Sequence, residues 1–344
     1  MQNRDITRMS SLSSYSGALR LRLGHEISPR MAIIHPTNQC NHNCVGCEYA
    51  NIHITKPAEI ESTRLLKLIN EVANLGATSI LFSGGGEPTM HKSFTKCLVE
   101  AKRRGLLIGI FTNGTTINQQ LAEVIIQNAT FVRVSVDAST AKTYSSIRRV
   151  DISVFDQLKS AVGKLVATKN QQNSKLEISL KFLVRPCNIK EIPSFVELAK
   201  ELGVKSVQYK LLRNEVEEPN LEQIQTAQKL IEQARNVCSD IKVQGRISSE
   251  IKVKTPCWIT PLRVVISAEG DVHLCNYFNH RRQTHTFGNI NHSLLKDVWF
   301  SDVHRQAMAN IKLPECKLYD CRFHKLNTEL LDLVENYRDQ LDFI

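Results

Sequence analysis

The chain has 344 residues, 42% of them hydrophobic, and a formal net charge of +10. That length suits one large domain or a large plus a small one, and no window approaches the ~20 consecutive apolar residues of a membrane span. The basic pairs Arg103-Arg104, Arg148-Arg149 and Arg281-Arg282 are scattered, which describes a solvated surface rather than a nucleic-acid footprint and equally suits an acidic partner or substrate.

In chain order, Met1–Arg30 is Ser- and Arg-rich without an apolar secretory core, so it reads as a loose strap over the downstream domain, with a transit peptide as the other reading. From Met31 to about Val237, short β-rich runs alternate with amphipathic helices. The predicted strands are Met31–His35, Ser79–Ser83, Leu106–Phe111, Phe131–Val136, Leu176–Val184 and Ser206–Leu211. Between the first two, Leu65, Leu66, Ile69, Val72 and Ala73 recur at helical spacing and stop at Gly76. Later helices open on Ser153-x-x-Asp156 and Asn188-x-x-Glu191, both in the pattern of a capping box. Strands that are near-continuously apolar and separated by helices form a parallel sheet buried on both faces. After Asp240 the alternation gives way to a hairpin, Leu262–Cys275, turning at Glu269-Gly270-Asp271. An amphipathic helix is predicted from Ser293 to about Ile311, and an acidic helix closes the chain over 326–344.

Ten cysteines fall into a set of three, a set of four and the singletons Cys97, Cys187 and Cys238. With no signal segment, that pattern favours metal in a reducing cytoplasm over disulfides. The first set is Cys40-Asn-His-Asn-Cys44-Val-Gly-Cys47, directly after the first strand. Three cysteines in one loop can ligate three irons of a 4Fe-4S cluster and leave the fourth open to bind and reduce something. A zinc knuckle completed by His42, or three unconnected thiols, are the plainer readings.

Functional groups in βα barrels gather at the C-terminal ends of the strands. After the second strand comes Ser83-Gly-Gly-Gly-Glu-Pro-Thr89, whose glycines let backbone N–H groups approach a ligand and whose Glu87 can accept from an ammonium. The third strand ends in Thr112-Asn113-Gly114 and the fourth in Ser135-Val-Asp137, with Ser135 and Asp137 expected on one face. Helix capping by Thr112 and Asp137 is the alternative. Arg148 or Arg149 could pair with a carboxylate, or be solvated surface. The fifth strand runs into Arg185-Pro-Cys187-Asn188, where a thiol could face the barrel mouth; free cysteine is otherwise a small buried hydrophobe.

The three-cysteine spacing, followed one βα unit later by Gly-Gly-Glu-Pro, resembles the radical SAM superfamily. Gly46 stands where that family often has an aromatic residue. The resemblance implies a partial (β/α)6 TIM-like barrel over 31–240. It implies a cluster on Cys40, Cys44 and Cys47 that chelates S-adenosylmethionine (SAM), and one-electron cleavage to a 5′-deoxyadenosyl radical that abstracts a substrate hydrogen atom. It assigns Gly85, Gly86 and Glu87 to the methionyl amino group, Ser135 and Asp137 to the ribose and carboxylate, and groups Thr112, Asn113 and Arg148 with them. Cys187 would be a catalytic hydrogen-atom donor.

Cys257, Cys275, Cys316 and Cys321, with Gly270 five residues before Cys275 and Gly288-Asn-Ile290 ahead of Trp299, resemble the SPASM/twitch extension of the same superfamily. That implies a small hairpin-and-helix domain over 241–325 holding an auxiliary 4Fe-4S cluster; zinc on the four thiolates, or His324 replacing one of them, are the rivals. The expected activity is maturation of a ribosomally made peptide by cross-linking, epimerisation or bond cleavage. Dehydrogenation of a small sugar- or aminoglycoside-like metabolite, or a non-catalytic metal-binding scaffold, are the alternatives. Expected partners are the peptide or small-molecule substrate, an external reductase and a separate leader-peptide-binding protein, in the cytoplasm, with neither nucleic acid nor membrane.

Overall fold

The computed structural model describes residues 26–49, 56–212, 217–245, 247, 257–311 and 326–331. Ten strands among them form one open sheet in the order β10-β9-β8-β1-β2-β3-β4-β5-β6-β7. Six of these strands match the sequence expectation to within a residue or two: β1 Met31–Ile34, β2 Ser79–Phe82, β3 Leu107–Thr112, β4 Phe131–Ser135, β5 Glu177–Val184 and β6 Ser206–Leu211. All pair in parallel with their neighbours.

The crossover helices cover the outer face: α1 Ser62–Asn74, α2 Phe94–Arg103, α3 Gln119–Asn128, α4 Ala141–Arg148, α5 Val154–Gln171, α6 Ile192–Glu201 and α7 Leu221–Val237. Helix α1 is typical. Glu61 caps it by accepting from the backbone N–H groups of Thr63 and Arg64, and Leu65, Leu68, Ile69 and Val72 are buried against the sheet. Strand alternation divides β1 between two cores. Ala32 and Ile34 join the large helix-covered core, whereas Ile33 faces inward with Leu81, Val265 and Phe278, flanked by Phe111 and Phe131.

Two capping expectations fail for local reasons. Ser153 is itself helical and makes no cap bond; its N–H and Oγ donate instead to Asp151 Oδ1, at 2.9 and 2.6 Å. Asn188 is fully buried: its Oδ1 accepts from Arg185 N at 2.7 Å, and its Nδ2 donates to the carbonyls of Asp137 and Leu183, each at 2.8 Å.

Beyond residue 240, β7 (Lys242–Gln244) pairs with β6, while β8 (Arg263–Ile266) pairs in parallel with β1 on the opposite side. The hairpin partner β9 (Asp271–His273) and the unanticipated β10 (Thr286–Asn289) add antiparallel strands beyond β8. The short helix α8 (Arg282–His285) leads into β10. The single helix expected over 293–311 is broken into α9 (Leu295–Trp299) and α10 (Asp302–Ala309), because the Ser301 hydroxyl caps the second by accepting from His304 N. Residues 326–331 are helical and set Leu326 and Leu330 against Ile259 and Leu262. The remainder of the acidic terminal helix, and the strap over residues 1–25, lie outside the described residues.

On the inner face, one row of register partners crosses β4 to β7: Ser135, Lys181, Gln208 and Gln244. TIM-type interiors are filled mainly by bulky branched residues; here the apolar filling centres on β8, β1, β2 and β3 with Phe131 of β4, and the row crossing β4 to β7 is polar. Gly109 on β3 marks the tight part of the apolar side, since a Cβ there would lie 2.5 Å from the Phe131 ring and 3.0 Å from Leu81 Cδ1. Gly109→Ala should therefore destabilise the fold by about 1–3 kcal/mol. Chemical denaturation followed by circular dichroism reads the difference; an unchanged midpoint would mean that the Phe131 ring moves aside freely.

Candidate radical SAM site

The C-terminal ends of β1 to β5 surround a cavity of about 260 Å³. Cys40, Cys44 and Cys47 border it together with Gly84, Gly85, Gly86 and Glu87 from the loop after β2. Phe111, Thr112 and Asn113 from β3, Ser135 from β4, Lys181 from β5, and Arg148 and His42 complete the lining. Among the described residues no three His, Cys, Asp or Glu side chains converge on a single-ion site. Cys40, Cys44 and Cys47 all border the one cavity, and three thiolates are the number that a 4Fe-4S cluster with one open iron requires.

The cysteine loop makes little structure of its own beyond a turn from Cys47 N to Cys44 O at 3.2 Å. Its neighbours hold it. Asn43 N and Val45 N donate to the carbonyls of Arg148 and Ile147 at the end of α4, at 3.3 and 2.9 Å. Arg185 Nη1 donates to Val45 O at 2.9 Å and pairs with Glu217 at 2.5 Å. Asn113 Nδ2 donates to Asn41 Oδ1 at 2.7 Å, and Asn41 donates to Thr115 Oγ1 at 2.9 Å. Gly46 takes φ +66°, a conformation in which a Cβ is strained.

The glycine loop docks on the other side. Glu87 N donates to Gln39 O at 2.8 Å, and a Cβ on Gly86 would sit 2.1 Å from that same oxygen. Only glycine lets the two loops approach this closely. The Glu87 carboxylate is 2% exposed. It accepts from Thr89 N and Oγ1 at 3.2 and 2.5 Å, from Thr112 Oγ1 at 2.7 Å and from Asn113 N at 2.6 Å. Burial pushes its pKa up from the ordinary carboxylate value against these donors. Thr112 also accepts from Gly114 N at 2.9 Å.

Arg148 is 7% exposed. Its Nη1 donates to Cys44 Sγ at 3.3 Å and its Nη2 to Asp137 Oδ2 at 2.9 Å. Its buried Nε–H has no acceptor among the described residues. Both ring nitrogens of buried His42 likewise lack partners among the described residues, and burial lowers its pKa to about 4, so the ring is neutral. Burial pushes the Cys40 thiol up to about 12 and raises Cys47; binding iron, which takes thiolate, releases those protons.

Two residues sit elsewhere than the sequence argument placed them. Asp137 lies past the end of β4 with φ +65°, so strand alternation no longer governs it. Its carboxylate turns to Arg148 and to Leu183 N, at 2.7 Å, and it does not line the cavity. Cys187 is exposed on the turn after β5 and is likewise absent from the lining; the buried Asn188 holds that turn by accepting from Arg185 N. Arg185, Lys181 and Phe111 were not singled out from sequence. Their common signal is position on the inward face of a strand or just past its C-terminal end, but no motif marks them.

At the second set, Cys257 Sγ lies 3.0 Å from Thr260 Oγ1 and 3.9 Å from Asn327 Nδ2. Burial pushes the Cys275 thiol up to about 11, with Cys257 close enough to raise it further and Arg281 and Arg263 lowering it. Cys316 and Cys321 lie outside the described residues.

The residues present fit an iron-sulfur cluster and SAM: three separate thiols, a glycine cradle beside a buried carboxylate, and an orphaned guanidinium N–H on one cavity. Residues 34–223, more than half of the chain, match the radical SAM superfamily. The chain belongs to that superfamily. Residues 257–322 match its SPASM iron-sulfur cluster-binding domain, and the family's cofactors are 4Fe-4S clusters and SAM. The chain is 30% identical over 166 residues to Fe-coproporphyrin III synthase of Methanosarcina barkeri, covering 48% of this chain but only 39% of that relative. It is 25% identical to the tungsten-containing aldehyde ferredoxin oxidoreductase cofactor-modifying protein of Pyrococcus furiosus, over 83% of this chain and 85% of the relative. To the PqqA peptide cyclase of Granulibacter bethesdensis it is 23% identical, over 79% of this chain and 74% of the relative. Streptococcus suis SuiB bound to S-adenosylmethionine shares the fold, with a TM-score of 0.65 at 14% identity over 90% of this chain and 74% of that one. No helix among the described residues is long and apolar enough to cross a membrane.

Glu87→Gln exchanges one acceptor oxygen for an amide donor and removes the charge that an ammonium would meet. SAM binding should weaken by on the order of 1–3 kcal/mol with iron content unchanged, measured by equilibrium dialysis of the anaerobic protein. Unchanged affinity would leave Glu87 as a clamp between its own loop and β3.

Proposed function

We propose that this radical SAM enzyme matures a ribosomally made peptide, by cross-linking, epimerisation or bond cleavage that begins at an unactivated C–H bond. The observation that carries the reading is the extent of the likeness. The match to PqqA peptide cyclase covers 79% of this chain, an extent shared by the Pyrococcus furiosus cofactor-modifying protein at 83%, whereas the match to coproporphyrin synthase covers about half. The polar inner row of Ser135, Lys181, Gln208 and Gln244 also suits a substrate rich in backbone amides better than an apolar one.

Cys40, Cys44 and Cys47 would hold the cluster whose open iron takes SAM, and together these supply the reductive cleavage that starts hydrogen-atom abstraction. The protein's own groups bind and orient. The Gly85-Gly86 backbone and Glu87 would receive the amino group, and the free Nε–H of Arg148 a carboxylate oxygen. Ser135 borders the same cavity, and Phe111 keeps water from its apolar side. Cys257 and Cys275, with Cys316 and Cys321, would hold the auxiliary cluster. An external low-potential reductase and a separate leader-binding protein complete the proposed partners, in the cytoplasm.

Reconstituted protein should hold about eight irons per chain. Replacing Cys40, Cys44 and Cys47 together by Ala should remove about four of them and abolish 5′-deoxyadenosine formation under dithionite. Cys257→Ala/Cys275→Ala should also lose about four yet keep SAM cleavage, because the barrel site has its own ligands. One zinc with four irons in the unaltered protein would overturn the auxiliary iron-sulfur assignment. For the substrate, a short precursor peptide encoded beside the enzyme should stimulate 5′-deoxyadenosine formation and change mass in step with it. Stimulation by cyclitols or amino sugars and not by the peptide would favour the small-metabolite dehydrogenase instead.

A further inference from the structure

Arg148 and Asp137 form a buried pair behind the cysteine loop, with side chains 8% and 2% exposed and Nη2 to Oδ2 at 2.9 Å. One end of the pair touches a cluster ligand, through Arg148 Nη1 to Cys44 Sγ. The other end is anchored at β5 and the turn after it, where Asp137 Oδ1 accepts from Leu183 N and Asn188 Nδ2 donates to the Asp137 carbonyl. Asp137 keeps this position in the left-handed region at φ +65°, a conformation that costs free energy for any residue but glycine and is held only where the surroundings over-determine it.

Charges and hydrogen bonds near cluster sulfurs are what a protein uses to set a cluster's reduction potential. One-electron reduction adds a negative charge to the cluster and its thiolates. A guanidinium donating to a ligating sulfur favours that state, and a carboxylate one step further away opposes it. Neither charge is well screened, since both are withdrawn from solvent. We propose that this pair sets the potential of the cluster on Cys40, Cys44 and Cys47, with Arg148 raising it and Asp137 holding the rise in check. The inference rests on the reading of those cysteines as a 4Fe-4S site. It makes Asp137 a positioning and tuning residue that never meets SAM.

The two halves of the pair predict shifts of opposite sign. Asp137→Asn removes the opposing charge while retaining an oxygen for Leu183 N, and Asn tolerates positive φ about as well as Asp. Arg148→Gln removes the favourable charge and leaves the carboxylate uncompensated. Full-length protein, reconstituted anaerobically, is titrated with dithionite and low-potential mediators and followed by electron paramagnetic resonance. The signal missing from the Cys40/Cys44/Cys47 triple variant identifies the barrel cluster, and iron is counted in each sample. At the potential that half-reduces the unaltered cluster, Asp137→Asn should be mostly reduced and Arg148→Gln mostly oxidised. A change of about tenfold in the ratio corresponds to about 59 mV for a one-electron couple. Shifts in the same direction, or none, with iron content preserved, overturn the inference and leave the cluster reading standing. If Arg148→Gln loads no iron, Asp137→Asn decides alone, and a fall or no change overturns the inference. An unaltered protein that binds no iron at this site overturns the cluster reading and the inference with it.

Discussion

The cysteine loop must hold three thiols around a cavity while making almost no regular structure itself, and the barrel mouth is organised to meet that constraint. The backbone end of α4 receives two of its N–H groups, Arg185 takes the Val45 carbonyl, and Asn113 reaches Asn41. The Gly84–Gly86 turn presses against Gln39 where no side chain could stand. Apart from the α4 carbonyls, each of these contacts comes from just past the C-terminal end of a different strand. A parallel sheet delivers those ends to one side of the molecule. The site is thus a consequence of topology: residues more than a hundred positions apart, such as Val45 and Arg185, meet because β1 and β5 point the same way.

The same sheet joins the two family segments. Strand β8 extends the parallel order beyond β1 at full register, Met31 beside Arg263 through Ile34 beside Ile266, and the hairpin carrying Cys275 grows from it. On the other side β7 lengthens the barrel past residue 240. A boundary drawn where the helical alternation stops therefore cuts through continuous backbone pairing. Trp299 Nε1 donating to Ile27 O and Arg30 N donating to Leu262 O add further ties between the start of the described chain and the cluster-binding segment.

Six barrel strands were legible from sequence because their apolar runs are long and bounded by glycine or polar turns. The motif residues were legible because cysteine and glycine spacings carry their own chemistry. Strand β7 and strand β10 were not: three or four residues with mixed polarity, such as Lys242–Gln244, are strands only because a neighbour's edge offers hydrogen bonds. The long helix expected over 293–311 kept its periodicity yet broke at Ser301, where a side-chain cap outcompetes continuation. Asp137 shows the limit most clearly. Its place two residues after Ser135 reads as one strand face, but a single left-handed residue turns the carboxylate from the cavity to Arg148. Cys187, attractive for its position after β5, follows Pro186 into an exposed turn.

As proposed above, Cys40, Cys44 and Cys47 would hold a multi-iron cluster with one iron left free of protein ligands. Anomalous diffraction at the iron edge, from crystals of the anaerobically reconstituted protein, addresses it directly. Four iron positions are expected in the cavity that also borders Gly85, Gly86 and Glu87, three of them bonded to these thiolates. A single metal drawing the three sulfurs together, or iron found only at the Cys257 and Cys275 end of the molecule, would contradict it.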